Sequence, residues 1–235
     1  MKPSITVFFP CYNDRGTIDK LVIQSLNLLQ ELSDDYEVIV VDDGSTDGSR
    51  ELLKELESQH PNVKLVFHEK NKGYGGALQS GFEAATKDLV FYTDGDAQYD
   101  INEMPLLVPL LTADIDVVNG IKIGRGDPMH RVVIGYLYNF FIRNLFNIDL
   151  FDVDCDFRLI RRKMLQGINL TATSGAICTE LVKKLDIKGA RFREVSVHHY
   201  PRTYGRSQFF SLRRVFHTGV ELIKLWFQVV LFRKL

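Results

Sequence analysis

Two rhythms of apolar residues alternate through the first hundred positions. Ile5-Thr6-Val7-Phe8-Phe9 is a strand-favouring run stopped by Pro10, and residues 17–32 then place Ile18, Leu21, Val22, Leu26, Leu29 and Leu32 on one helix face. Glu37-Val38-Ile39-Val40-Val41 predicts a second strand, Leu52, Leu53 and Leu56 mark a second helix, and Val63-Lys64-Leu65-Val66-Phe67 predicts a third strand. Residues 75–85 read as a helix ahead of a fourth strand, Leu89-Val90-Phe91-Tyr92-Thr93. Such alternation predicts an α/β fold, a mainly parallel sheet with right-handed crossovers and helices on both faces.

The second half is less regular. Val117-Val118-Asn119-Gly120, Phe157-Arg158-Leu159-Ile160 and Arg193-Glu194-Val195-Ser196-Val197 read as short strands, with a helix over 176–185. Residues 132–146 (VVIGYLYNFFIRNLF) form an apolar, aromatic helix whose Tyr136, Tyr138, Phe140 and Phe141 point several ways, more than one core face requires. From Phe209 to Phe232 the pattern is one long helix with a narrow polar stripe, His217, Glu221, Lys224 and Gln228. The expected organisation is an α/β domain over residues 1–208 followed by a C-terminal amphipathic helix over 209–235.

Composition removes several classes. At 235 residues, 45% apolar and 25% charged, the chain is an ordinary globular protein of one large or two small domains. A formal net charge of -1 offers no electrostatic reason to expect nucleic acid. Cys11, Cys155 and Cys178 are too few and too scattered for a disulfide framework or a zinc site, which points to a reducing compartment. The chain enters a strand within five residues without the design of a signal peptide, and no apolar run approaches the roughly 20 residues that span a bilayer.

Ligands of parallel sheets collect at the carboxyl ends of the strands. Tyr12, Asp42, Asp43, Asp94 and Asp96 all fall there, on three separate loops. In Asp94-Gly95-Asp96 an extended backbone would turn both carboxylates to one side, where their repulsion is most simply offset by Mg²⁺ or Mn²⁺; taken alone, a solvated Asp-Gly turn serves as well. Asp42-Asp43-Gly44-Ser45 suits a helix cap, but capping does not account for a doubled aspartate directly after a buried strand. A carboxylate there could accept from a nucleobase or a ribose. The loop Asn71-Lys72-Gly73-Tyr74-Gly75-Gly76 has the wrong glycine spacing and position for a dinucleotide fingerprint; its backbone could approach a ligand with Lys72 near phosphate, or be simply flexible.

Pro10-Cys11-Tyr12-Asn13, Val41 to Asp47, Asn71-Lys72-Gly73, Asp94-Gly95-Asp96-Ala97-Gln98 and Asp152 to Leu159 together resemble family 2 glycosyltransferases, in particular the dolichol-phosphate mannose synthase and polyprenyl-phosphate glycosyltransferase branch. The resemblance covers most of residues 5–210. It implies a GT-A type domain, a nucleotide-diphosphate sugar donor (GDP-mannose or a UDP-sugar), a divalent cation and inversion at the anomeric carbon. By position it implies Asp43 on the base, Asp94 on the nucleotide, and Asp96 with Gln98 on the metal, within a donor site that includes Pro10, Tyr12, Asn13, Asp14, Asp42, Lys72, Gly73 and Gly95. Asp14 departs from the glutamate more usual in the family. The family motif puts acidic residues near the acceptor at Asp156, then Asp152.

Cations complete the expected site. Arg125 and Arg131 lie in a loop where the family carries arginines near the phosphates, and Arg202 and Arg206 flank a turn in an Arg-x-x-Gly-x-Ser pattern. Neighbouring His198 and His199 would face opposite sides of a strand and so do not suit one metal ion. Glu180 is a further acidic candidate, or a solvated helix-surface residue. Arg213-Arg214 and Arg233-Lys234 bracket the last helix, which suits a membrane interface or a membrane partner; docking on its own domain or in a homo-oligomer is the other reading. The expectation is a cytoplasmic enzyme, peripheral on the inner face of the membrane, that transfers a sugar to a polyprenyl phosphate. A soluble or glycan acceptor is the alternative. A non-catalytic nucleotide-sugar-binding subunit is a third reading, against which Asp94, Asp96, Gln98 and Arg206 speak.

Overall fold

The computed structural model describes residues 2–124, 126, 129–205 and 211–232. Among these residues seven strands, Ile5–Cys11 (β1), Tyr36–Asp42 (β2), Val63–Phe67 (β3), Leu89–Thr93 (β4), Val117–Ile123 (β5), Phe157–Arg161 (β6) and Phe192–His198 (β7), form one sheet in the order β3-β2-β1-β4-β6-β5-β7. Only β6 runs against its neighbours, β4 and β5; the other pairs are parallel. The expected mainly parallel α/β sheet is what forms.

Residues alternate between two cores. Ile5, Val7 and Phe9 of β1, with Val38 and Val40 of β2, meet helices Ile18–Leu32 (α1) and Ser49–Gln59 (α2). Phe8, Ile39 and Val41 face the other way, onto Gly73–Ala84 (α3) and Ala176–Ile187 (α6). Strands covered on both faces need apolar residues at every position, and β1 is buried throughout. Pro10 does not stop it. The Cys11 carbonyl accepts from the Asp43 N–H, so alternation puts the Pro10 nitrogen on the β4 side. There the ladder has already ended at Phe8–Tyr92, and no hydrogen bond is lost. Similarly β5 runs on to Ile123 rather than ending at Gly120, because β7 pairs alongside it to His198.

A third core joins the remaining helices, Met129–Phe146 (α4) and Leu212–Trp226 (α7), the latter running into a π-helical turn, Phe227–Leu231. A four-residue helix, Arg162–Leu165 (α5), follows β6. Leu225 and Val229 are buried against Ile142, Phe146 and Val182, each at a gain of roughly 1.5–3 kcal/mol. Trp226 donates its Nε1–H to the Leu145 carbonyl at 3.1 Å. One face of the C-terminal helix therefore docks on its own chain, and Trp226 belongs to that face rather than to the outward apolar arc.

At the amino-terminal edge of the sheet, buried Glu37 ties four segments together. It accepts from Thr6 Oγ1 (2.6 Å), from Thr86 N (2.7 Å) and Oγ1 (2.8 Å), and from Lys64 Nζ (2.6 Å). Burial alone would raise its pKa, but these donors outweigh burial and hold it at about 2, below its ordinary 4.5. A carboxylate depressed in the folded state stabilises at pH above its unfolded pKa, and that stability is lost as pH falls from about 4.5 to about 2. Glu37→Gln is expected to lower stability at pH 7 by about 3 kcal/mol and to flatten the acid dependence in that window. Urea denaturation between pH 7 and pH 2 measures both; an unchanged acid slope would refute the role.

Candidate active site

The carboxyl ends of β1, β2 and β4 open on a cavity of about 530 Å³. Pro10, Tyr12, Asn13 and Asp14 after β1, Asp43 after β2, and Asp94, Gly95 and Asp96 after β4 all line it, as does Asp156 ahead of β6. The three-loop convergence expected from the strand ends is present.

The Asp94-Gly95-Asp96 geometry differs from the expected extended one. β4 ends at Thr93, and the segment turns, with Ala97 in the left-handed region at φ 57° and the Gln98 N–H bonded to Asp96 Oδ1 at 3.0 Å. A Cβ at Gly95 would stand 2.6 Å from the Pro10 carbonyl oxygen, so only glycine lets this turn reach β1. Both carboxylates nonetheless line the same cavity.

These acids crowd one another. Removal from solvent, then the charges of Asp156 and Asp96, push the Asp94 carboxyl well above the usual carboxylate range, while the Tyr74 hydroxyl donates to its Oδ1 at 2.8 Å. Burial also lifts Asp14, to about 6; the Tyr12 N–H opposes this at 3.1 Å, and Asp96 adds to it. The Arg202 guanidinium hydrogen-bonds Asp96 Oδ2 and lies 3.8 Å from Asp14. Asp156 accepts from the Cys178 thiol at 3.1 Å.

Other expected site residues are turned elsewhere. Asp42 faces away, bonded to Arg50 Nε at 2.5 Å and capping the Ser45 N–H. Asp152 is taken up by the Lys122 N–H, Lys122 Nζ at 3.5 Å and Asn139 Nδ2 at 3.2 Å, and does not line the cavity. Gln98 sends its side-chain amide to the Tyr200 carbonyl at 3.0 Å. Arg131 sits in the first turns of α4, outside the lining. Arg125 and Arg206 lie outside the described residues.

The glycine-rich loop serves packing. Lys72 N and Gly73 N donate to Asp43 (2.7 and 3.0 Å), which also takes His68 Nδ1 at 2.6 Å. A Cβ on Gly73 or Gly75 would meet the carbonyl oxygens of Thr173 or Ala172 at 2.5 and 2.1 Å. The close approach is therefore to residues 172–173, and the Lys72 side chain lies over Gly76 outside the cavity lining.

Three supporting residues carry little sequence signal. Arg158, fully buried in β6, donates to Asn119 Oδ1 (2.7 Å), the Tyr92 hydroxyl (2.7 Å) and the carbonyls of Val153 and Cys155, fixing the approach to Asp156. Glu180 is neither solvated nor on the cavity: it is buried, paired with Lys184 at 2.9 Å, and accepts from the N–H groups of Thr171 and Ala172. Glu221 of α7 accepts from the amides and hydroxyls of Thr173 and Ser174 at 2.5–3.0 Å; burial works against its charge, but these donors hold its pKa below the usual value. Thr173, Ser174 and Gly175 line the cavity, and so do Arg214, His217 and Thr218 of α7. For the α7 residues the sequence signals were the polar stripe that contains His217 and the basic pair Arg213-Arg214; Thr218 had none.

A parallel sheet with acidic loops converging over its carboxyl ends, and one reversed strand, is the GT-A architecture. The model of glycosyl transferase family 2 matches residues 6–168, and the chain belongs to that family. It is 28% identical over 221 residues to the undecaprenyl-phosphate 4-deoxy-4-formamido-L-arabinose transferases of Yersinia pestis (strain Pestoides F) and Yersinia pseudotuberculosis serotype O:3 (strain YPIII), covering 93% of this chain and 66% of theirs. The chain thus spans just under two thirds of the length of those relatives. Among solved structures, glucosyl-3-phosphoglycerate synthase from Mycobacterium tuberculosis, in complex with Mn²⁺, uridine diphosphate and glucosyl-3-phosphoglycerate, superposes with a TM-score of 0.70 at 22% identity, covering 96% of this chain and 79% of that one. Mannosyl-3-phosphoglycerate synthase from Rubrobacter xylanophilus gives 0.69 at 16%, covering 96% and 74%. These two show the shared fold.

Proposed function

We propose that the protein transfers a sugar from a nucleoside-diphosphate sugar to a polyprenyl phosphate, with inversion, at the membrane surface. The observation that carries the donor half is the acidic floor: Asp14, Asp94, Asp96 and Asp156 line one cavity, with the Arg202 guanidinium among them. That surplus of negative charge, in oxygen donors alone, fits Mg²⁺ or Mn²⁺. Among the described residues no three His, Cys, Asp or Glu side chains form a metal cage by themselves. An ion held by Asp94 and Asp96 would complete its shell with waters and diphosphate oxygens, as Mg²⁺ commonly does. When bound, such an ion would neutralise charge on the leaving diphosphate. The neighbour solved with Mn²⁺ and uridine diphosphate supports this reading.

The protein's own groups would do the rest. Asp43 has three of its roughly four acceptor positions filled by His68, Lys72 and Gly73, which leaves one for a nucleobase N–H. Tyr12 and Asn13 would wall the nucleotide, and Arg202 would pass from Asp96 to the diphosphate. The acceptor phosphate oxygen attacks the anomeric carbon from the face opposite the diphosphate. The new carbon–oxygen bond forms as the bond to the diphosphate breaks, and the electron pair leaves with the nucleoside diphosphate. A phosphate monoester, with a second pKa near 6, is already ionised at neutral pH, so Asp156 need not take a proton and would instead orient the sugar.

The acceptor half rests on the polyprenyl-phosphate relatives and on two outward faces. Val133, Ile134, Leu137, Phe140 and Phe141 of α4 and Leu212, Val215, Phe216 and Ile223 of α7 are exposed, far more apolar surface than a solvated helix pair tolerates. Among the described residues no helix is long and apolar enough to cross a membrane, so the fit is to an interface. The proposed position is peripheral, on the cytoplasmic face, directly on lipid or through a membrane partner.

Asp96→Asn is expected to keep the fold and abolish transfer, and to abolish the extra thermal stabilisation that Mn²⁺ adds to a panel of uridine and guanosine diphosphates and their sugars. Near-wild-type, metal-dependent transfer by that variant would overturn the metal site, and better transfer to simple alcohols than to polyprenyl phosphate would favour a soluble acceptor.

For the membrane face, Phe140→Ser combined with Phe216→Ser should reduce co-sedimentation with anionic vesicles at least tenfold while nucleotide stabilisation persists. Wild-type protein that stays in the supernatant would remove the direct lipid contact. Trp226 fluorescence is a poor reporter here, since its ring is already engaged with α4.

A further inference from the structure

Arg202 is carried among the cavity acids by a segment that is held at both ends. Residues 199–205 leave the end of β7. First His199 pairs with Tyr99, and Tyr200 exchanges two hydrogen bonds with Gln98. The Tyr200 N–H donates to the Gln98 carbonyl at 2.7 Å, and the Tyr200 carbonyl accepts from Gln98 Nε2 at 3.0 Å. Further on, Tyr204 lies so close to the loop after β1 that a Cβ on Gly16 would stand 2.3 Å from its ring. Gly205, at φ 73°, reaches the same loop, where a Cβ on it would lie 3.6 Å from the Asn13 carbonyl oxygen. The segment thus ties the turn that carries Asp96 to the loop that carries Asp14. Arg202 sits between the two holds, hydrogen-bonded to Asp96 Oδ2 and 3.8 Å from Asp14 Oδ1. The Arg202 and Asp96 side chains are only 26% and 8% exposed, so water screens this pair far less than a surface salt bridge.

A divalent ion on Asp96 would claim the carboxylate that Arg202 already holds. Serving both at once would bring two positive charges together in a shielded place. An ion that enters alone therefore has to expel Arg202 from its carboxylates, while the anchored segment keeps the guanidinium beside the cavity with no new partner. An ion that enters with a diphosphate supplies that partner, because phosphate oxygens accept the planar guanidinium fork. Resting on the metal and nucleotide reading above, we infer that Arg202 is the resident counter-ion of the metal-binding carboxylates, released to the diphosphate only when ion and nucleotide arrive together. Arg202 is then a positioning residue that couples the two ligands. It weakens binding of the ion alone and strengthens binding of the pair. Such coupling is reciprocal, so the factor by which the nucleotide tightens the ion is the factor by which the ion tightens the nucleotide. Gln98, bonded to Tyr200, serves the same device by anchoring the segment that presents Arg202.

The test titrates Mn²⁺ into the full chain, read by the free-ion resonance signal, with and without uridine or guanosine diphosphate. Arg202→Gln should bind Mn²⁺ alone at least fivefold more tightly than wild type, and its further gain from the nucleotide should shrink at least tenfold. Damage to the fold would not tighten metal binding, so the sign of the change separates this role from a structural one. Arg202→Lys keeps the charge without the fork. It should bind Mn²⁺ alone as weakly as wild type and retain only part of the nucleotide gain. In Arg202→Ala, millimolar methylguanidinium, compared with equal sodium chloride, should refill the vacated place and weaken Mn²⁺ binding again. If wild type takes up Mn²⁺ with the nucleotide but Arg202→Gln binds Mn²⁺ alone no more tightly, the counter-ion role is overturned and the transferase reading stands. An undiminished nucleotide gain in Arg202→Gln would overturn the transfer of Arg202 to the diphosphate. No Mn²⁺ uptake by wild type under either condition would overturn the metal reading and this inference with it.

Discussion

Like charges held close together are the constraint from which the rest of the structure follows. Asp14, Asp94, Asp96 and Asp156 reach one cavity from the loops after β1 and β4 and before β6; burial first, and then the neighbouring carboxylates, raise the pKa of Asp94 and of Asp14. A fold keeps such a group together only by fixing its backbone firmly. Glycine at position 95 lets the turn touch Pro10, Tyr74 holds one Asp94 oxygen, and buried Arg158 braces the segment ahead of Asp156. All three nitrogens of the Arg158 guanidinium donate to oxygen acceptors, which is the condition under which a buried cation is tolerable.

A pair of glutamates performs the reverse duty. Glu180 and Glu221, on α6 and α7, gather the amides of residues 171–174, and that segment presses on Gly73 and Gly75 at the start of α3. α3 in turn supplies Tyr74 to Asp94, and the amides of Lys72 and Gly73 secure Asp43. Contacts therefore run without a break from the apolar C-terminal helix to the floor of the cavity. A helix seated at a membrane interface would be mechanically part of the site it serves.

The architecture was legible because its signals are local: period-two and period-3.6 apolar patterns, and acids placed where strands end. What escaped depends on partners distant in sequence. Asp152 and Asp156 look alike in an alternating acidic run, but Lys122 and Asn139 claim the first, and only the second reaches the cavity. Pro10 reads as a stop until the ladder on its β4 side is seen to have ended. Glu180 and Glu221 find their donors in residues 171–174, which have no periodicity of their own. Gln98 and Lys72 matched a motif, yet the turn at Ala97 and the amide clamp on Asp43 direct their side chains elsewhere.

The central claim is that the acidic floor binds a divalent cation jointly with a diphosphate. Electron paramagnetic resonance of Mn²⁺ reads this directly, because the signal of the free hexaaquo ion is lost when it is bound. Among the described residues the carboxylates form no closed cage, so Mn²⁺ should bind weakly alone and at least tenfold more tightly when the matching nucleoside diphosphate is added to the protein, beyond what protein and nucleotide bind separately. Equal Mn²⁺ affinity with and without nucleotide, or no uptake in either case, would contradict the account.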